Sequence, residues 1–208
     1  MIKIKLLLLS AILLLIVGCS GKKNNETTSI DTCASTKEVN CTELNKSKAN
    51  GTVTIQGPPS ILKSIKNTTY SVLVDRDHFI IKKVKQPIVL INFFSTWCPP
   101  CSGQIPYFED LQKKYKSELF ITGILVNDDA NATALETFYA KYHMNYFVSN
   151  DAENKNVTSK VIEGLKLDAN FTLPLTVLYK NGNYYTHYEG PVPVEMIDHD
   201  IKTALENK

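Results

Sequence analysis

No apolar run in this sequence is long enough to cross a bilayer as a stable helix, which takes about 20 residues. The longest, Leu6 to Val17, is a dozen residues interrupted by Ser10. That length excludes a stable span but suits the apolar centre of a secretory signal. An excess of charge is also missing. Removal of residues 1–18 would take away Lys3 and Lys5 and leave 21 Lys and Arg against 21 Asp and Glu. A neutral chain argues against nucleic acid as a partner and against electrostatic attachment to anionic lipid. Clustered metal ligands are absent as well: His78, His143, His187 and His199 are scattered. Zinc normally wants a second Cys or His pair at ligand spacing, so no metal and no other cofactor is expected. Nor does the sequence repeat itself.

What is present divides into three stretches. Residues 1–18 begin with Lys3 and Lys5, continue into the apolar run and end at Ile16-Val17-Gly18, directly before Cys19. That ending resembles the lipobox of bacterial lipoproteins, whose cysteine receives a diacylglyceryl group before the signal is removed. The alternatives are an uncleaved anchor, or an ordinary signal followed by a chance cysteine. Residues 19–69 form a tether and an N-terminal extension. The tether, to about residue 50, is rich in Ser, Thr, Asn and Lys and has too little apolar surface to offset its ordering entropy. Ser20 after Cys19 gives no inner-membrane retention signal, so the membrane that carries the lipid stays open.

Residues 70–208 carry the definite patterns. Tyr70–Val74 and Phe79–Ile81 flank a polar turn and read as a β-hairpin. Ile88–Phe94 is almost wholly apolar, as expected of a strand covered on both faces. A helix is expected from Pro99 to about Ser117 with Pro106 inside it, then a buried strand over Leu119–Val126. Asn131–His143 reads as a helix, Tyr146–Val148 as a short strand and Val157–Leu165 as a short helix. Leu175–Tyr179 and Tyr184–Tyr188 form a hairpin around Asn181-Gly182, and Pro193–Glu206 closes the chain as a helix. The order implies an α/β fold: a central mixed sheet flanked by helices, with an N-terminal β-hairpin extension.

The chemistry sits where a buried strand meets a helix start, at Trp97-Cys98-Pro99-Pro100-Cys101. A sulfur at a helix N-terminus faces the positive end of the helix dipole, which favours the attacking thiolate. A spacing of two residues lets the second cysteine reach back and close a disulfide. Pro99 and Pro100 fit a first turn, where missing N–H groups cost little. Cys98 is expected to be the exposed attacking thiol and Cys101 the more buried resolving thiol. A zinc half-site lacks a partner pair, and a static disulfide leaves the buried strand leading into the pair unexplained. Trp97 is a candidate rim residue for a docking partner. Phe94 reads as core, and the four His as surface or satisfied core residues. Of the remaining cysteines, Cys33 and Cys41 are close enough for a local disulfide, either structural or a second redox pair; an even set of four fits an oxidising compartment.

The run Ile88-Val-Leu-Ile-Asn-Phe-Phe-Ser-Thr-Trp-Cys-Pro-Pro-Cys101, with Pro106 beyond it, closely resembles the thioredoxin-like family of TlpA, ResA and CcmG type. The resemblance extends from about residue 70 to 208. It implies a cis-proline loop at Leu173-Pro174, packed beside the redox pair, with the preceding backbone pairing with bound substrate. It also places Asn92 where cytoplasmic thioredoxins carry a buried proton-transferring Asp. Many relatives have an acid three residues after the second cysteine. Gln104 stands there in this chain and cannot titrate, which leaves the proton acceptor for Cys101 unassigned.

The implied function is that of an extracytoplasmic, lipid-anchored thiol–disulfide oxidoreductase, facing the periplasm or the cell surface. Pro99-Pro100 lacks the His of strongly oxidising relatives, so the resemblance favours a reductase of exported protein disulfides. The usual clients of that branch are the CxxCH cysteines of apocytochrome c, with electrons from a membrane thiol–disulfide donor. A disulfide-forming oxidant or isomerase is the alternative, and a copper-handling or scaffold lipoprotein the non-enzyme one. A monomer touching the membrane through its lipid is expected.

Overall fold

The structure is a computed structural model that describes residues 57–207. The expected signal, lipidated Cys19, the tether, the start of the extension up to residue 56 and the Cys33/Cys41 pair lie outside the described residues. Among the described residues no helix is long and apolar enough to cross a membrane.

Eight strands form one sheet: β1 (Ser60–Lys63), β2 (Thr69–Asp75), β3 (His78–Ile81), β4 (Ile88–Phe94), β5 (Leu119–Leu125), β6 (Phe147–Ser149), β7 (Leu175–Lys180) and β8 (Asn183–Glu189). Their order across the sheet is β1-β2-β3-β8-β7-β4-β5-β6. Four helices accompany it: α1 (Pro99–Lys114), α2 (Ala132–Lys141), α3 (Asn154–Leu165) and α4 (Val194–Glu206).

β4 lies inside the sheet, parallel to β5 on one side and antiparallel to β7 on the other. Successive side chains of a strand point to opposite faces, and both faces of β4 are covered. Ile88, Leu90 and Phe94 meet Ile105 and Phe108 of α1, Leu135 of α2 and Ile197 and Ile201 of α4. Val89, Ile91 and Phe93 meet Val157 and Val161 of α3 and Leu62, Val72 and Phe79 of the first three strands. Hence every β4 residue is buried, and its sequence shows no polar alternation. Each such side chain contributes about 1.5–3 kcal/mol on burial. The strand that aims the site is thus buried along its whole length and paired on both sides.

The expected hairpin of β2 and β3 is present, but β1 joins it antiparallel, with Ser60 opposite Val72 and Lys63 opposite Thr69. The result is a three-stranded meander that begins ten residues before the expected boundary. Four residues, with Leu62 buried and Ile61 exposed, are too short a pattern to register as a strand. The meander joins the main sheet through a single residue pair, His78 with Asn183. At its other side it curls far enough for β1 to reach β6. The Asn150 N–H donates to the Lys63 carbonyl at 3.0 Å, and the Lys63 N–H donates to Ser149 Oγ at 3.1 Å.

Other boundaries move by a few residues. α1 stops at Lys114 because the Tyr115 N–H closes the last turn on Leu111. α3 starts at Asn154, earlier than expected, and the Asn154 amide donates to the carbonyls of Leu125 and Ser149 at 2.9 and 2.8 Å.

Candidate active site

The β4–α1 junction places Cys98 at the N-cap of α1 with extended backbone, and its sulfur accepts the Cys101 N–H at 3.2 Å. Pro99 and Pro100, the first two helical residues, have no N–H, so the Cys101 amide is the first that α1 offers. The two prolines therefore concentrate the helix-start dipole on a single donor aimed at sulfur. Cys98 and Cys101 form a disulfide with their Cα atoms 5.3 Å apart. Cys98 was expected to be exposed, yet it is only 5% accessible, against 1% for Cys101. Cys98 is the less covered of the two, and a partner sulfur reaches it only by entering the cleft above it.

That cleft has a volume of about 470 Å³ and is walled by Trp97, Asn127, Asn170, Phe171 and Leu173, with Cys98, Pro99 and Pro100 at its base. None of these side chains is charged. The Leu173–Pro174 peptide bond is cis, and Leu173 lines the cleft wall. The Pro174 carbonyl is taken by the Gly190 N–H at 2.9 Å. Trp97 is 62% exposed, and its Nε1 donates to the Asn127 carbonyl at 2.8 Å. The indole is thereby fixed at the rim although its ring lies largely in solvent.

The supporting shell contains residues that sequence reasoning missed. Asp128 accepts the Thr96 N–H and hydroxyl at 2.5 and 2.7 Å, and its other oxygen accepts the Ala130 N–H at 2.9 Å. One carboxylate thus clamps the loop carrying the cysteines to the loop between β5 and α2. Ser95 donates to the Val126 carbonyl beneath it. Asn127 adopts positive φ of 49°, a conformation that Asn tolerates better than most residues. The one signal for this clamp in sequence was Asn127-Asp128-Asp129 directly after a buried strand, a composition that suits an Asx turn.

Asn92 is buried, and its amide donates to Thr176 Oγ1 at 3.2 Å. Gln104, one turn after Cys101, is 7% exposed. Its Nε2 donates to the Val192 carbonyl at 3.1 Å, whereas its Oε1 is buried with no hydrogen-bond partner among the described residues. Glu109 accepts the N–H groups of Asn145 and Tyr146, which ties it to the start of β6. Two phenols pack nearby. Burial, and then the charge of Asp128, pushes Tyr139 above the usual range. Burial and Glu109 do the same to Tyr146, so both remain neutral. Among the described residues no group of His, Cys, Asp and Glu could hold a metal ion.

This arrangement suits one chemistry: a helix-capped sulfur pair that opens to dithiol and closes to disulfide at the base of an uncharged cleft. Comparison with known proteins points the same way. The chain is 33% identical over 75 residues to the thiol-disulfide oxidoreductase ResA of Bacillus cereus, a stretch that is 36% of this chain and 43% of that protein. It is 28% identical over 123 residues to ResA of Bacillus thuringiensis subsp. konkukian, covering 59% of this chain and 66% of that one. The first of these matches spans less than half the length of its relative. The fold is that of a thiol:disulfide interchange protein of the thioredoxin family from Chlorobium tepidum, with a TM-score of 0.55 at 23% identity over 71% of this chain and 94% of that one. The sequence profile of the Redoxin family matches residues 63–183, a span that runs from the end of β1 to the start of β8 and holds the cysteine pair, and the chain belongs to that family.

Proposed function

We propose that the protein is a thiol–disulfide oxidoreductase working outside the cytoplasm, held to a membrane by lipid on Cys19, and that it reduces disulfides in exported proteins. The observation that carries the reading is the Cys98–Cys101 pair capping α1 at the base of an uncharged cleft beside Leu173. In the dithiol form, Cys98 thiolate attacks one sulfur of a client disulfide. The client's other sulfur leaves as thiolate, and a mixed disulfide remains. Cys101 then attacks Cys98 Sγ, closing the disulfide seen here and releasing the second client thiol. The two electrons passed to the client are restored by a dithiol donor in the membrane. Leu173 and Trp97 present the walls against which a client segment lies, and Pro99, Pro100 and Asn92 hold the pair in place.

Similarity to thiol-disulfide oxidoreductases named ResA supports thiol–disulfide exchange, and we assign the reducing direction, with apocytochrome c CxxCH disulfides as the clients. Two measurements test this. With Cys101→Ser, the mixed disulfide has no resolving thiol, so client proteins should stay covalently attached to Cys98. An empty trap would favour a binding role instead. The reduction potential of the Cys98–Cys101 couple should lie near about −270 mV, the thioredoxin range; a value near about −120 mV would make disulfide donation the working function.

A further inference from the structure

The chain as a whole is close to neutral, yet its charges are sorted along the strands. β4 and β5 begin at one end of the domain and deliver the disulfide at the other. At the beginning end, three connections are bonded to one another. The Ile88 N–H donates to the Glu118 carbonyl at 3.0 Å, and the Asn181 N–H to the Pro87 carbonyl at 2.7 Å. These connections carry Lys82, Lys83 and Lys85 before β4, Lys113, Lys114 and Lys116 at the close of α1, and Lys180 at the end of β7. Lys113 pairs with Asp110, Lys114 with Asp198, and Lys180 donates to the Asn207 carbonyl. Lys82, Lys83, Lys85 and Lys116 are exposed and have no carboxylate partner among the described residues. Glu118 is the acid within the same connections, and Asp77 and Glu206 stand at the margin. At the disulfide end the sign reverses. Asp128 and Asp129 follow β5, Asp151 and Glu153 follow β6, and Glu189 ends β8, with Lys155 and the exposed Lys63, whose backbone bonds Asn150, as the nearby cations.

We infer that the lysine end is a docking surface for anionic phospholipid, which sets the domain upright with its redox cleft facing away from the bilayer. Lysines on loops are flexible point charges suited to headgroup phosphates. A cavity of about 790 Å³ lined by Lys113 and Lys116 opens on this side, but its rings Tyr70 and Phe120 pack edge to face on each other, which leaves them poorly placed to stack bases and disfavours nucleic acid. The acidic end is repelled by the same membrane. A patch of this size is a weak anchor by itself; its effect is orientation of a domain already held near the surface. The inference rests on the proposed lipid anchor but not on the redox reading.

The test uses the full chain on vesicles of phosphatidylcholine alone and with about 30% phosphatidylglycerol. Partitioning should be about tenfold stronger on the anionic vesicles, and about 0.5 M salt, which shortens screening to a few Å, should abolish the difference. A variant carrying Lys82→Gln, Lys83→Gln, Lys85→Gln and Lys116→Gln should lose most of that preference while its melting temperature and disulfide-exchange rate are unchanged. Lysines outside the described residues survive in this variant, so a preference that also survives overturns the proposal. Trp97, the chain's one tryptophan, reports orientation. Energy transfer from it to headgroup-dansylated lipid should be weaker on anionic vesicles, and stronger transfer there overturns the upright orientation. Equal or tighter binding of the unaltered chain to duplex DNA at matched salt overturns the lipid assignment.

Discussion

At the scale of single residues, the site works by restricting which groups carry charge. Prolines remove two N–H groups and leave the Cys101 amide aimed at Cys98. Gln104 then puts a neutral acceptor, its buried Oε1, one turn from Cys101. Gln104→Glu would replace the Nε2 donor to Val192 with a second acceptor and place a carboxylate where burial disfavours ionisation. Burial raises such a carboxyl above its unfolded value of about 4.3. The folded state then holds the proton more tightly than the unfolded one, so stability falls as pH rises through and above that value. The variant should match the parent more closely near pH 4 and lose about 1–3 kcal/mol by pH 8. Denaturant midpoints across that range measure the effect, and a deficit independent of pH would contradict it. The pair itself was legible in the sequence because two cysteines at this spacing, after an apolar strand, carry their chemistry in the chain order. The Asp128 clamp was not. Its partners Thr96 and Asp128 are 32 residues apart, and nothing local marks one as the acceptor for the other.

Among elements, those with a long period were readable and those held by distant contacts were not. β4 was found with its boundaries because all seven residues are buried, which leaves an unbroken apolar run. β1 escaped because its strand character comes from pairing with β2 rather than from its own four residues. The close fit of α3 against the β2–β3 turn was equally invisible. A Cβ built on Gly164 would stand 2.0 Å from the Arg76 carbonyl oxygen, and Arg76 itself holds φ at 51°. Gly164 is therefore needed for contact across the sheet, not for its own backbone angle. Gly164→Ala should cost about 1–3 kcal/mol by forcing α3 off the turn. Thermal unfolding checks this, and an unchanged melting temperature would show that the turn yields freely.

For the whole molecule, acid is the informative stress. Asp198 joins α4 to α1 by accepting from Lys114 at 2.6 Å and Tyr115 at 2.8 Å, and it pairs with Lys202 at 2.9 Å. Burial works against its charge, but these partners outweigh it and hold the carboxyl well below the usual range. Burial, reinforced by the same carboxylate, pushes the Tyr115 phenol up to about 12, so it stays a donor. Because the folded pKa is lowered, this stabilisation is complete above about pH 4, the unfolded value, and fades as pH falls further. Asp198→Asn should cost about 1 kcal/mol at neutral pH, since both lysines are half in solvent. Its deficit should shrink below pH 4, where the unfolded parent takes up a proton that the folded carboxyl still refuses; a deficit that persists at pH 2 would point to hydrogen bonding alone. The end-to-end sorting of charge was hidden from composition, because a net count says nothing about where each sign collects. The curl that brings β1 against β6 has its own consequence. A sheet in open order would leave β6 as a bare margin, able to template strand addition by a second chain. Here the Lys63 backbone occupies part of that margin, so β1 and β6, the two borders of the sheet, partly cover each other against fibril-like stacking.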